Sequence, residues 1–195
     1  MAVDHPQVLL ESRAAWRSWL QEHHGSAPGV WAVTWKKNSP GPYVSYQDLV
    51  EEALCYGWID SLGRKLDAER TQLLFTPRKP ASRWSRPNKE RIERLTAAGL
   101  MAPAGVAMVE LARRTGTWTA LDRAEDLVEP PELRAALDAV PAARRSWDGF
   151  PPSARRAILD WIYSAKTAAT RDRRVRTTVD EAAVGRRANQ PRSAG

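Results

Sequence analysis

A carboxylate follows an indole by two positions in residues 57–61, and this pair could do acid–base chemistry. If the segment is a strand, its side chains alternate between two faces, so Trp58 and Asp60 share one face and Ile59 takes the other. With Ile59 in the core, Trp58 and Asp60 would face a ligand. A carboxylate against an apolar wall can then act as a general acid or base. The structural alternative is that Asp60 pairs with a lysine or arginine, or caps a turn.

A second group of polar residues precedes a predicted helix. Arg78 can hold a carboxylate or phosphate through two hydrogen bonds, while Ser82 and Ser85 add hydroxyls and Trp84 adds an indole. The N–H groups that begin a helix also bind anions. These residues therefore predict a site for an anionic or polar group. In the alternative interpretation Ser85 only caps the helix, Trp84 only packs, and Arg78 is solvated.

The positive charge is concentrated in two regions. The chain has a net charge of +7, and residues 78–94 contain seven Lys/Arg against two Asp/Glu, while residues 153–195 contain ten against four. Arginines along the last predicted helix could follow a phosphate backbone (Arg171, Arg173, Arg174 and Arg176). No aromatic residue lies among them and no nucleic-acid-binding motif is present, which disfavours nucleic acid as a partner. The alternative is a solvated helix face followed by an arginine-rich tail.

Several classes of chemistry are excluded by composition. Cys55 is the single cysteine and the chain has three histidines, so neither an internal disulfide nor a usual structural zinc site is expected. No Gly-x-Ser-x-Gly elbow, P-loop or dinucleotide-binding glycine pattern occurs. The sequence therefore predicts no metal and no cofactor. The lack of a long apolar run and of a signal-peptide pattern predicts a cytoplasmic protein with no membrane span.

The elements that must position these residues divide the chain unequally. Period-two patterns and turn residues place the strands in the first 80 residues, at 8–10, 29–37, 58–65 and 72–77. Capping residues and prolines predict helices from residues 12, 45, 85, 103, 131, 141, 153 and 169. This predicts an α+β fold with a small antiparallel β-sheet in the N-terminal half packed by helices, and a helical C-terminal half. The predicted domains are residues 1–120 with the candidate pocket, a helical module at 121–185, and a disordered tail at 186–195.

The same segments carry a family resemblance. Residues 53–61, Ala-Leu-Cys-Tyr-Gly-Trp-Ile-Asp-Ser, resemble the signature of the YdeI/OmpD-associated, or bacteriocin-protection, proteins. Residues 76–89, with Pro-Arg, Ser-Arg-Trp-Ser and Asn-Lys, are similar to a second segment of that family, and shorter matches extend the resemblance over residues 8–185. The resemblance implies a bacterial protein involved in tolerance of bacteriocins or antimicrobial peptides. It assigns no catalytic residue.

These observations give three hypotheses of function. In the first, the chain binds a small molecule, either anionic or antimicrobial, and protects the cell by holding it between the sheet and the helix that begins at Ser85. In the second, the same pocket is a metal-free enzyme with Asp60 as general acid or base and Arg78 as electrostatic stabiliser. In the third, the basic C-terminal helix makes the chain an adaptor for nucleic acid or protein. The predicted site residues are Trp35, Trp58, Asp60, Arg78, Ser82, Trp84, Ser85 and Asn88.

Overall fold

The computed structural model describes residues 5–189, and the chain divides between Thr119 and Ala120 into two compact units. The first unit contains a four-stranded sheet and four helices. Its elements are β1 (Gln7–Leu9), α1 (Arg13–His23), β2 (Val30–Trp35), α2 (Tyr46–Cys55), β3 (Trp58–Lys65), β4 (Arg70–Pro77), α3 (Arg86–Ala97) and α4 (Pro103–Thr115). The fold is α+β, as predicted.

The sheet is mixed, not purely antiparallel as the sequence predicted. Its strand order is β1-β2-β4-β3, with β1 parallel to β2 and the other neighbours antiparallel. The parallel pair arises because α1 is a crossover connection. It carries the chain back to the end of the sheet at which β1 starts, so β2 runs in the same direction as β1. β3 and β4 form an antiparallel hairpin.

Serine caps begin the first two helices at the predicted positions. Ser12 Oγ accepts a hydrogen bond from Ala15 N at 3.0 Å, and Ser45 Oγ accepts one from Asp48 N at 3.1 Å. Each bond satisfies an N–H group that has no partner within the helix. Gly57 follows α2 with a φ of +74°, a left-handed conformation in which any other residue would be strained, so the chain turns there directly into β3.

The core of the first unit lies between the sheet and the helices. Val30 and Phe75 form a cross-strand pair on the helix-facing side, where both are fully buried beside Trp16 of α1. Trp16 donates its indole N–H to Leu49 O at 2.9 Å. A buried indole with a bonded N–H combines a large apolar surface with no unsatisfied donor, so this packing is strongly stabilising.

Ion pairs join α1 and α3 to α2. Glu52 is 2% exposed and accepts hydrogen bonds from Arg13 Nε at 2.6 Å and Arg17 Nη1 at 2.7 Å. Arg13 also bonds Glu51, which receives a further bond from Arg94 of α3 at 2.8 Å. The buried carboxylates of α2 are therefore neutralised by arginines from two neighbouring helices, which is the condition for burying a charge without a large penalty.

The second unit is helical throughout its described residues and has a core of its own. It contains α5 (Asp122–Glu125), α6 (Pro131–Asp138), α7 (Pro141–Gly149), α8 (Pro152–Tyr163) and α9 (Ala168–Ala183). Trp147 is fully buried among leucine and isoleucine side chains of α6 and α8. Its indole N–H donates to Glu129 at 2.8 Å, and Arg144 holds the same carboxylate through two bonds of 2.9 and 2.8 Å.

The end of the chain was predicted to be a disordered tail from residue 186. Residues 186–189 are described, and Ala188 among them is 3% exposed in the core of the second unit. Residues 190–195 of that predicted tail lie outside the described part of the chain. Within residues 5–189, no helix is both long and apolar enough to cross a bilayer.

Candidate functional site

Both tryptophans that were predicted to wall a pocket lie in the core. Trp58 and Trp84 are each 1% exposed. The Trp58 indole donates to His24 O at 3.1 Å and meets Trp19 edge to face. Strand β3 turns Trp58 toward the helices, because the side opposite Ile59 is the side that α1 and α2 cover. Neither indole therefore offers a face to a ligand in this structure.

Arg78 is a buried cation stacked on an indole. It is 5% exposed, its guanidinium carbon lies 3.8 Å from the centroid of the Trp84 ring, and its Nη2 donates to Arg83 O at 2.5 Å. Its Nε is buried with no hydrogen-bond partner among the described residues. Burial lowers the pKa of Arg78 to about 10, although the charge of Asp60 acts in the opposite direction. Arg78 therefore lies inside the fold, where solvent scarcely reaches it.

The remaining polar residues of this segment lie around the beginning of α3. Ser85 occupies the N-cap position, but its side chain makes no capping hydrogen bond, in contrast to the predicted cap. Asn88 Oδ1 accepts a hydrogen bond from Arg91 at 2.9 Å, and Ser82 N donates to Lys79 O at 2.9 Å in the preceding turn. These contacts position the turn and the first helical residues.

Asp60 lies on the helix-facing side of β3, opposite Phe75 in the register with β4. Its Oδ2 accepts a hydrogen bond of 2.9 Å from the hydroxyl of Tyr46, the first residue of α2. Burial, reinforced by this bond, raises the pKa of the Tyr46 hydroxyl. Asp60 thus reaches the beginning of α2 as well as influencing Arg78.

A cavity of about 370 Å³ opens beside that contact, between the sheet and the start of α2. We call it the α2 cavity. Tyr43 and Tyr46 line the cavity, and more than half of the surface of each is exposed. Leu49 and Val44 contribute buried apolar surface to the lining. Its lining residues are Thr34, Trp35, Lys36, Tyr43, Val44, Tyr46, Leu49, Gly63, Thr71, Gln72 and Leu73.

The sheet forms the floor of the α2 cavity. Thr34 of β2 and Thr71 of β4 are directly opposite each other on the helix-facing surface, and the Thr71 hydroxyl donates to Arg64 O at 2.9 Å. Trp35 and Gln72 also belong to the lining, although each follows one of these threonines and its side chain is therefore directed to the opposite face of the sheet. Lys36 lies at the far end, where its Nζ donates to Asp67 O at 2.8 Å and to Ala68 O at 2.7 Å.

Gly63 opens the α2 cavity toward the edge of the sheet. One extra residue lies in β3 between Asp60 and Gly63, and this β-bulge brings Gly63 opposite Leu73. A Cβ at Gly63 would meet only Leu73 Cδ1, at 3.8 Å, and the position does not have a left-handed φ. A larger side chain at Gly63 would therefore enter the cavity without backbone strain.

The predicted site residues coincide with the α2 cavity only in part. Of the eight predicted site residues, Trp35 lines the α2 cavity and Asp60 contacts it through Tyr46. Tyr43, Tyr46 and Gly63 were missed. Their signal was present in the sequence. Two tyrosines lie on either side of the predicted helix start at residue 45, and a glycine interrupts the predicted strand at 58–65, which often marks a bulge or a close approach.

The basic helix α9 has fewer available arginines than its sequence indicates. Arg171 bonds Glu132 and lies 5.6 Å from the Tyr163 ring centroid. Arg174 bonds Trp161 O and lies 5.1 Å from the Trp161 ring centroid. Two of the four arginines are thus used to hold α9 within its own unit. No cluster of potential metal ligands occurs among residues 5–189.

Two family models match the chain over separate regions. Residues 8–108, which include the α2 cavity, match the model described as Domain of unknown function (DUF8412). The chain belongs to the DUF8412 family. Residues 126–185 match the model described as Bacteriocin-protection, YdeI or OmpD-Associated, which confirms the resemblance for that region. The motifs at 53–61 and 76–89 lie within the DUF8412 match. Searches of the curated proteins and of the solved structures give no significant match.

Proposed function

We propose that this chain binds a small molecule, such as an antimicrobial, in the α2 cavity and protects the cell by holding it there. The observation that carries the proposal is the cavity itself, which has about 370 Å³ of space between the sheet and α2. That volume falls in the range of small-molecule sites, and its combination of apolar walls with a few fixed polar groups is typical of them.

The ligand that fits this lining has an apolar body and a polar group. Tyr43 and Tyr46 are half exposed, so covering their rings removes apolar surface from water and favours binding. The Thr34 hydroxyl can bond a polar group on the floor, whereas the Thr71 hydroxyl already donates to Arg64 O at 2.9 Å and can only accept a further bond. Asp60, held by the Tyr46 hydroxyl, can orient a donor at the entrance.

Protection by sequestration is supported by the family match of the second unit. Residues 126–185 resemble proteins described as acting in bacteriocin protection. A protein that binds a toxic compound lowers its free concentration without changing it chemically, and such a protein needs a cavity but no catalytic group. The DUF8412 match covers the cavity and assigns it no activity.

Ligand screening with recovery of each compound tests the proposal. Purified protein is titrated with a panel of antimicrobials and metabolites, binding is followed by thermal shift and tryptophan fluorescence, and each compound is then analysed by mass spectrometry. We expect at least one compound to raise the melting temperature and to be recovered unchanged. Recovery of an altered compound would contradict sequestration and favour an enzyme, with Asp60→Asn as the next variant.

Two substitutions at Tyr46 locate the binding site. Tyr46→Ala removes the ring from the cavity wall and should weaken binding about tenfold, since an aromatic wall residue is worth roughly 1–3 kcal/mol. Tyr46→Phe keeps the ring and removes the bond to Asp60, so it should retain most of the affinity. If Tyr46→Ala folds normally and binds as tightly as the wild type, the ligand is not in the α2 cavity.

A further inference from the structure

At the edge of the sheet beside the α2 cavity, no further strand among residues 5–189 pairs with β3. β3 is the last strand in the order β1-β2-β4-β3, and residues 61–65 are all exposed. Leu66 N donates to Arg70 O at 3.2 Å, and hydrogen-bonded pairs alternate with non-bonded pairs along an antiparallel ladder. Gly63 and Lys65 therefore occupy non-bonded positions with respect to β4. Their N–H and C=O groups point outward from the sheet.

The same two residues face the helix side of the sheet. Gly63 is opposite Leu73 and Lys65 is opposite Thr71, and both Leu73 and Thr71 line the α2 cavity. A strand added to this edge would place the residue opposite Gly63 with its side chain on that side. Because Gly63 has no side chain, the added side chain would lie over it and enter the cavity.

We propose that the occupant of the α2 cavity belongs to an extended peptide that pairs with the free edge of β3. This inference rests on the proposed function, since it uses the same cavity, and it names the ligand as a short peptide of which one side chain enters the cavity. The backbone of the peptide bonds Gly63 and Lys65, which adds a fifth strand to the sheet. An aromatic or branched apolar side chain opposite Gly63 fills the space between Leu73 and Tyr46.

Charge complementarity adds a second requirement. Lys65 is exposed on the helix-facing side two residues beyond Gly63, and opposite charges on directly opposed residues stabilise a strand pair. The peptide residue opposite Lys65 is therefore acidic. In an antiparallel pair it precedes the apolar residue by two positions, which gives the order acidic, any residue, apolar.

One backbone substitution separates the edge from the cavity. Lys65→Pro removes the outward N–H of Lys65 but no bond to β4, and proline is tolerated on an edge strand at such a position. Lys65 does not line the cavity. Lys65→Ala is the matched control, since it removes the charge and keeps the N–H. Gly63→Leu blocks the cavity itself. Circular dichroism establishes that each variant is folded.

Two probes are titrated into these variants. The first is the blocked pentapeptide Thr-Glu-Thr-Phe-Thr, with Thr-Glu-Thr-Ser-Thr as its control, and the second is the amphiphilic aromatic dye 1-anilinonaphthalene-8-sulfonate. We expect the phenylalanine peptide to bind the wild type at least about tenfold more tightly than the serine peptide. Lys65→Pro should weaken peptide binding by about tenfold or more and leave dye binding unchanged, whereas Lys65→Ala should weaken it only a few fold. Gly63→Leu should abolish binding of both probes.

The outcomes that overturn the inference differ from those that overturn the proposed function. Peptide affinity that survives in folded Lys65→Pro, or equal binding of the two peptides, refutes strand pairing at β3. If strand pairing is refuted in this way but Gly63→Leu loses dye binding, the result still supports the cavity as a ligand site. Dye binding that is unchanged in folded Gly63→Leu contradicts the cavity and therefore both proposals. Hydrogen exchange gives a direct check, because the peptide should protect the amides of Gly63 and Lys65.

Discussion

At the scale of single residues, the structure separates tryptophans that pack from aromatic residues that face a cavity. The alternation of β3 correctly places Trp58 and Asp60 on one face, but alternation does not tell which face the helices cover. Trp58 is buried at 1% exposure, and Tyr46 is half exposed at the α2 cavity. A sequence specifies the side of a strand, whereas the fold decides what that side meets, so the cavity residues could not be chosen from the pattern alone.

Arg78 gives a prediction at this scale. Arg78→Ala should lower the free energy of unfolding by about 2–4 kcal/mol, because it removes the guanidinium that stacks on Trp84 together with its buried stem and leaves a hole in the core. Arg78→Met should cost less, since methionine fills much of that space and removes a buried charge. Urea denaturation measures both. Equal destabilisation by the two substitutions would show that the guanidinium contacts, not the packed stem, stabilise the fold.

At the scale of helices and strands, local signals predicted the elements well where a specific hydrogen bond or backbone conformation sets a boundary. Ser12 and Ser45 cap helices as expected, and Gly57 ends α2 with a positive φ. The α2 cavity was not predicted, because it depends on how the loop after β2 meets the start of α2 across the sheet. The bulge before Gly63 is equally a property of strand pairing, since it exists only relative to β4.

The ion pairs that join the helices give a prediction at this scale. Arg13→Ala should lower the free energy of unfolding by about 2 kcal/mol, because it removes hydrogen-bonded ion pairs from the nearly buried carboxylates of Glu51 and Glu52. The loss is limited because the Arg13 side chain is itself partly exposed. Arg94→Ala is the control. Its side chain is 57% exposed, and within the described part of the chain it forms an ion pair only with Glu51, so the loss should stay below about 1 kcal/mol. Chemical denaturation measures the difference, and a larger loss for Arg94→Ala would contradict this account of the helix contacts.

At the scale of the whole molecule, carboxylates in both units depend on arginines. Hydrogen bonds from Arg144 chiefly hold the pKa of Glu129 below its ordinary value. Burial is the largest influence on Glu51 and acts to raise its pKa, but bonds from Gln47 and Arg94 and the charge of Arg13 outweigh it, so its pKa is also lowered. A lowered pKa means that the folded protein binds fewer protons than the unfolded chain near that pH.

Acid should therefore destabilise the molecule in a defined range. The stability from Glu51 and Glu129 is fully present above their ordinary pKa, about 4 to 4.5, and is lost as the pH falls through the lowered values. We expect a melting temperature that is nearly constant from about pH 7 to pH 5 and falls below about pH 4. Glu129→Gln should make the fall shallower, because one titrating group is gone. A melting temperature that holds to pH 2 would contradict this assignment.

If the α2 cavity holds the ligand, Gly63→Leu should lose affinity for the compound that gives the largest thermal shift in the screen. Gly25→Leu is the matched control, because Gly25 is exposed, lacks a left-handed φ and has no atom near an added Cβ. Isothermal titration of both variants should show wild-type affinity for Gly25→Leu and at least about a tenfold loss for Gly63→Leu. Wild-type affinity in a folded Gly63→Leu variant would show that the ligand lies elsewhere.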